Sequence, residues 1–282
     1  MNSTLTAIRA GLARAGIELK HTFTSPQDLW TYLFMPLALI VTVYFMRGAT
    51  VPGTSFSLGA RTLPSAVGMG IAFGGMVTMM MQLAVEREDG TLLRAKAIPR
   101  GMLGYLVGKV TLVSSMTLLG VLLQVPAMVA VGGLNLSSPA AWSSLLGIAA
   151  LGLLAVMPLG AIFGSLISNP QNMGLVMFPV MGLVATSGIF YPISSFPAWL
   201  QWIAQMFPIY WLGLGMRSAL LPDSLAAVEI GHSWRHMETV GVLGVWAVLG
   251  LVLAPMVLRR MARRESGSAV DARRQKALQR VR

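Results

Sequence analysis

Six long stretches of the chain are almost free of charge, at 29–47, 63–85, 102–131, 142–168, 173–191 and 238–258. Each lies near the ~20 apolar residues an α-helix needs to cross the hydrocarbon core of a bilayer. They predict an all-α polytopic membrane protein with six transmembrane helices, forming one unit over residues 1–282. Composition agrees, with 55% hydrophobic and 11% charged residues, where a soluble domain carries roughly 25% charged. The net charge of +11 does not describe a nucleic-acid surface, because the bases flank apolar runs and do not interleave with aromatics in a polar patch. The absence of cysteine excludes disulfides, thiolate metal sites and a cysteine nucleophile.

The polar stretch 86–100, EREDGTLLRAKAIPR, interrupts this pattern. It holds Glu86, Arg87, Glu88, Asp89, Arg94, Lys96 and Arg100, while 63–85 has no charge and 102–168 has only Lys109. Ionised groups are expensive in hydrocarbon, so this stretch must sit in water at a membrane face. Acids first and bases last around Thr91, Leu92 and Leu93 suit the dipole of a short amphipathic helix, and Pro99 and Gly101 stop it. A rigid charged helix on short tethers is placed to receive force from a soluble partner.

Residues 3–24 read as an amphipathic helix with Leu5, Ile8, Leu12, Ala15, Leu19 and Phe23 on one face. Such a basic amphipathic segment, occupying 1–28, lies in the membrane interface. The outer region 192–237 is broken by Pro197, Pro208 and Pro222. Its pieces at 198–206 and 209–220 are too short to span, and read as re-entrant or interfacial helices with Trp199, Trp202, Tyr210 and Trp211 at headgroup level. Seventeen Lys and Arg fall on the side of the termini and the 86–100 loop, against Arg47, Arg61, Arg217 and Arg235 on the other. The positive-inside rule therefore puts both termini in the cytoplasm, including the basic tail 262–282.

The central parts of the spans lack Asp, Glu, Lys, Arg and His, which counts against an ion-coupled carrier or a membrane-embedded hydrolase. His232 and His236 read as a solvated pair, and no metal site is expected. The stretch Gly104 to Val110 is no phosphate-binding loop, since its spacing is short and the hydroxyl residue is missing. Gly70-xxx-Gly74 and Gly160-xxx-Gly164 mark close helix packing. Pro36, Pro126, Pro158 and Pro179 are expected to kink their spans.

Glu86-Arg-Glu88-Asp-Gly90-Thr91-Leu92, with Pro99 beyond, resembles the loop after the second span in permease subunits of ABC type-2 exporters, the kind that includes daunorubicin-resistance permeases. Ser187-Gly-Ile-Phe-Tyr-Pro192, followed by Pro197, Trp199, Pro208 and Arg217, is similar to that family's outer re-entrant hairpin. The resemblance covers essentially the whole chain. It implies an N-terminal elbow helix, a cytoplasmic coupling helix, and a dimer working with two ATPase subunits in a bacterial plasma membrane. Glu86, Arg87, Glu88, Gly90, Thr91, Leu92, Arg94 and Pro99 would then couple to the ATPase, with Arg14 and Glu18 of the elbow also touching it. ATP and magnesium would belong to that partner, and this chain would bind no cofactor and be no enzyme. Substrate would follow the dimer seam past Tyr32, Phe34, Met76, Met79, Met80, Phe178 and Met181. A seam of that character favours a hydrophobic or amphipathic cargo such as a drug, an antibiotic or a lipid-like molecule. The alternatives are a polysaccharide or glycolipid exporter permease, or a membrane anchor or assembly factor that recruits an ATPase without transport.

Overall fold

A computed structural model describes residues 3–46, 48–50, 57–130, 138–167, 173–189 and 193–264. The expectations for Pro192 and for the tail beyond Arg264 lie outside them. The described residues are helical with no strand, apart from one isolated bridge between Thr50 and Ser57. Helix α1 (Ser3–Thr24) runs into α2 (Pro26–Met46), the first apolar span. The second span is built from α3 (Leu58–Ala72), a π-helical turn (Phe73–Val77) and α4 (Thr78–Glu88). After α5 (Thr91–Lys96) come α6 (Gly101–Ala130), α7 (Pro139–Leu166) and α8 (Met173–Thr186). Helices α9 (Ala198–Met206) and α10 (Pro208–Leu220) precede the last, α11 (His236–Arg264).

Among the described residues, five helices are long and apolar enough to cross a membrane, at 26–46, 58–87, 101–130, 139–166 and 236–261. The fifth of the six expected spans is represented by α8, whose 14 residues rise about 21 Å against a hydrocarbon core of about 30 Å.

The second span is the centre of the bundle. Its α3 packs on α10, α2 and α6, and its α4 on α7, which in turn packs along α11. Glycines make these crossings close. A Cβ at Gly160 would strike the Met76 carbonyl, and one at Gly164 would lie 2.7 Å from the Met80 carbonyl. One at Gly74 would lie 2.6 Å from Thr117 Oγ1 on α6. Both small-residue motifs therefore serve packing inside this chain.

Two expectations about faces are corrected. The side of α1 that packs on α6 is built from Ala7, Gly11 and Ala15, while Leu5, Leu12, Ile17 and Phe23 point outward. Small residues win because the backbones nearly touch: a Cβ at Gly104 would sit 2.9 Å from the Ala7 carbonyl, and one at Gly108 3.0 Å from that of Gly11. The large apolar residues are left exposed. Of the four aromatics expected at headgroup level, Trp199 and Trp202 of α9 are exposed, but Tyr210 and Trp211 of α10 are core residues. Helix α10 is buried almost all round, packed between α3, α7 and α11.

Candidate functional site

The 86–100 stretch is divided between residues that fasten it and residues it presents. Glu86 lies on the last turn of α4 and faces inward. Its Oε1 is 2.6 Å from Lys109 Nζ on α6 and 3.2 Å from Arg14 Nη2 on α1. Lys109 Nζ also reaches Glu18 Oε2 at 2.6 Å, and Arg14 Nε reaches Glu18 Oε1 at 2.6 Å. The Arg14 guanidinium lies over the Tyr105 ring, 5.3 Å from its centroid. Two bases and two acids thus neutralise one another where α1, α4 and α6 meet. Burial alone would raise the Glu18 carboxyl, but the hydrogen bonds from Lys109 and Arg14 outweigh it and hold the group below its ordinary range.

Lys109 explains this arrangement. It is the lone charge of an otherwise apolar helix and is buried, and an ammonium in that position needs counter-charges. Arg14, Glu18 and Glu86, expected to be offered to a partner, are therefore turned toward each other. Arg87 is also a fastener: its Nη1 donates to the carbonyls of Ser165 at 3.0 Å and Ile167 at 3.4 Å. These belong to the end of α7, where helical carbonyls lack intrahelical donors. Glu88 falls on α4, and its side chain is outside the described residues.

The presented half begins at Gly90, whose φ of 81° is left-handed and unfavourable for any residue with a Cβ. The sharp turn is sealed by Asp89 Oδ1, which accepts from the Thr91 N–H at 2.7 Å. Helix α5 then buries Leu92 and Ala95, while Arg94 donates to Thr91 Oγ1 at 3.0 Å and stays at the surface. Lys96, Ile98 and Pro99 are exposed, Ile98 by 62%. Between this edge and the N-terminal half of α1 runs a groove of about 760 Å³, lined by Thr6, Ala10, Arg14, Arg94, Ile98 and Pro99 among others.

A second ion cluster lies at the other end of α3. Glu229 is bracketed by two arginines, all three side chains being at most 1% exposed. Arg217 Nη2 donates to Glu229 Oε2 at 3.1 Å, and its Nε sits 3.0 Å from Oε1. Arg217 Nη1 also donates to Ser65 Oγ at 2.8 Å and to the Gly188 carbonyl at 3.3 Å. Arg61 Nη2 donates to Glu229 Oε1 at 3.0 Å, but its Nε and Nη1 find no partner. The cluster ties α3, α10, the end of α8 and the segment before α11 together. Arg61 and Arg217, counted from sequence among the charges outside the cytoplasmic face, are buried ion-pair members.

The residues expected along a substrate path separate. Phe34, Phe178 and Met181 are exposed on the surface of the chain, and Tyr32 is half-buried. Met76, Met79 and Met80 are buried inside the chain, with the Met76 and Met80 backbones against the α7 glycines. Of the outer residues, Pro197 caps α9 and Pro208 opens α10. Sequence reasoning passed over Glu229, Ser65 and the pairing role of Lys109. The only signal for them was a basic residue inside or beside an apolar run.

Among the described residues, five helices long and apolar enough to span a bilayer, with a tied charged loop between two of them, fit a multi-pass membrane protein. Residues 53–255 match the model of a family described as ABC-2 family transporter protein, most of the chain, and the chain belongs to that family. It is the membrane permease subunit of an ABC transporter. No curated protein matches the chain.

Proposed function

We propose that the chain moves a hydrophobic or amphipathic molecule, a drug or lipid-like compound, outward across a bacterial plasma membrane. A separate ATPase supplies the energy, with ATP and magnesium held there. Both termini and the 86–100 loop lie in the cytoplasm, and two copies pair around the path.

The observation that carries this reading is the division of labour in the loop. Its root is fastened to three helices by Glu86 and Arg87, and its tip offers Arg94, Lys96, Ile98 and Pro99 beside the elbow groove. A load on the tip therefore reaches α1, α4, α6 and α7 as one body. A tip without a firm root transmits nothing, and a root without an exposed tip receives nothing.

The test uses vesicles holding this chain together with its ATPase, assayed for ATP hydrolysis and flux of a fluorescent hydrophobic dye. Ile98→Asp and Arg94→Glu change the tip alone. Expected is loss of dye flux and of permease-stimulated ATP hydrolysis, with unchanged insertion and melting temperature. Normal flux in both variants overturns ATPase docking at the tip. Stimulated ATP hydrolysis without flux of any dye in the unmodified pair favours the anchor reading.

A further inference from the structure

Two cavities adjoin along the inner side of the first span. The lower, about 740 Å³, opens beside the charged junction, and the upper, about 300 Å³, lies between α2, the π turn and α6. Thr31, Tyr32, Thr78 and Met81 line both and so join them.

Each cavity contains a buried amide oxygen with no protein partner. Gln82, lining the lower one, donates from Nε2 to Tyr32 Oη at 2.6 Å and leaves Oε1 buried and unbonded. Gln124, lining the upper one, is 1% exposed and donates from Nε2 to the Gly120 carbonyl at 3.2 Å. A carbonyl can only accept, so that bond fixes the amide orientation and leaves Gln124 Oε1 as the orphan. Buried acceptors without donors are unfavourable at any depth and rare in folded chains. Two of them in joined cavities ask for a ligand that donates.

The charges at the mouth indicate the sign of that ligand. Glu18, Asp28, Glu86 and Asp89 line the lower cavity; Lys109 and Arg14 balance Glu18 and Glu86, so the excess negative charge comes from Asp28, beside His21, and Asp89. The upper cavity is apolar apart from hydroxyls and Gln124, with Met35, Phe73, Val77 and Val121 in its wall. Gln124 lies within reach of Gly70, whose Cβ would stand 3.6 Å from Nε2. Gly70 and Gln82 are twelve residues apart on the second span, which separates their backbone positions by roughly 18 Å along the helix axis.

We propose that these joined cavities bind an amphipathic primary amine. Its ammonium donates to Gln82 Oε1 beside the carboxylates, its apolar chain fills the upper cavity, and a distal hydroxyl donates to Gln124 Oε1. The site lies within one chain, between the first three spans, and not along the surface formed by Phe34, Phe178 and Met181. It does not rest on the transport reading, because it is tested as equilibrium binding by the full chain without ATPase or ATP.

The probes are dodecylamine, dodecyltrimethylammonium and the ω-hydroxy derivative of dodecylamine, competing against a tritiated dodecylamine reporter on the chain in nanodiscs. The quaternary ion has the same charge but no N–H. Hydrogen bonds to charged groups make dodecylamine on the order of tenfold tighter than the quaternary ion. Gln82→Met abolishes that ratio while retaining the chain's melting temperature. The ω-hydroxyl improves affinity several-fold, and Gln124→Met removes only that gain. Equal binding of the two cations by the unmodified chain overturns the proposal, as do ratios unchanged in both variants. Because each readout is a ratio on the same protein, a loss of fold moves both probes together and is not mistaken for loss of the site.

Discussion

Glu229→Gln is expected to be the most damaging single change in the Arg61–Arg217–Glu229 cluster. In the native cluster one carboxylate serves two guanidiniums, with exposures of 1% for Glu229, 1% for Arg61 and none for Arg217. Neutralising it leaves two buried positive charges facing each other. Removing one partner of a buried pair costs about 3–5 kcal/mol, and that range applies here because all three side chains are buried. Arg61→Met removes instead the guanidinium that makes one bond to Glu229 and keeps two nitrogens unpartnered. What remains is Arg217 and Glu229 as a neutral ion pair joined by one hydrogen bond and a second close contact, so this change should cost about 1 kcal/mol or less, or even stabilise. The assay is thermal unfolding of the detergent-solubilised chain followed by tryptophan fluorescence, which the buried Trp211 reports. The two variants should differ by on the order of 10 °C. Equal melting temperatures for Glu229→Gln and Arg61→Met would refute the claim that charge balance governs the cluster.

Acid should release the elbow. Glu18 has a folded pKa below its ordinary value of 4.5, so its contribution is complete above that value and is lost as pH falls through the depressed one. Hydrogen exchange in 3–24 should rise below about pH 4 in the native chain, while Glu18→Gln shows fast exchange at every pH and no acid step. At the α4–α7 crossing, Gly160→Val drives a side chain into the Met76 carbonyl and should cost about 1–3 kcal/mol through overpacking. Gly174→Ala, in open space on α8, should be neutral or stabilising by up to about 1 kcal/mol, as melting curves of the two variants will report.

Helix positions were readable because length and periodicity are local properties. The 3–24 helix was legible from recurrences at three and four, and the spans from apolar runs bounded by Pro, Gly or charge. The packing face of α1 was not, because it depends on how near α6 can come, and Ala7, Gly11 and Ala15 signal only in company with Gly104 and Gly108. Tyr210 and Trp211 read as interfacial aromatics because nothing local reveals that α10 is surrounded. The ion clusters were hidden for a related reason: Arg61 and Glu229 are 168 positions apart, and Lys109 and Glu18 91. The physical hint was present, since a lone lysine in an apolar run must find a counter-charge, but the partner has no local mark. The loop's tip was legible from its charges. Which of those charges hold the loop and which are displayed emerges only from the fold.

The π turn at Phe73–Val77 sets the phase of the second span. Each residue advances an α-helix by about 100°, so one extra residue in a turn rotates everything beyond it by that amount. Before the turn, α3 directs Arg61 and Ser65 at the Glu229–Arg217 cluster; beyond it, α4 directs Met80 toward Gly164 and Glu86 at Lys109. A regular helix of the same composition would satisfy one of these alignments and swing the other away. The span is two shafts joined by a fixed-angle clutch, and a one-residue deletion inside 73–77 would disengage the Glu229 cluster from the loop while leaving every side chain of both intact.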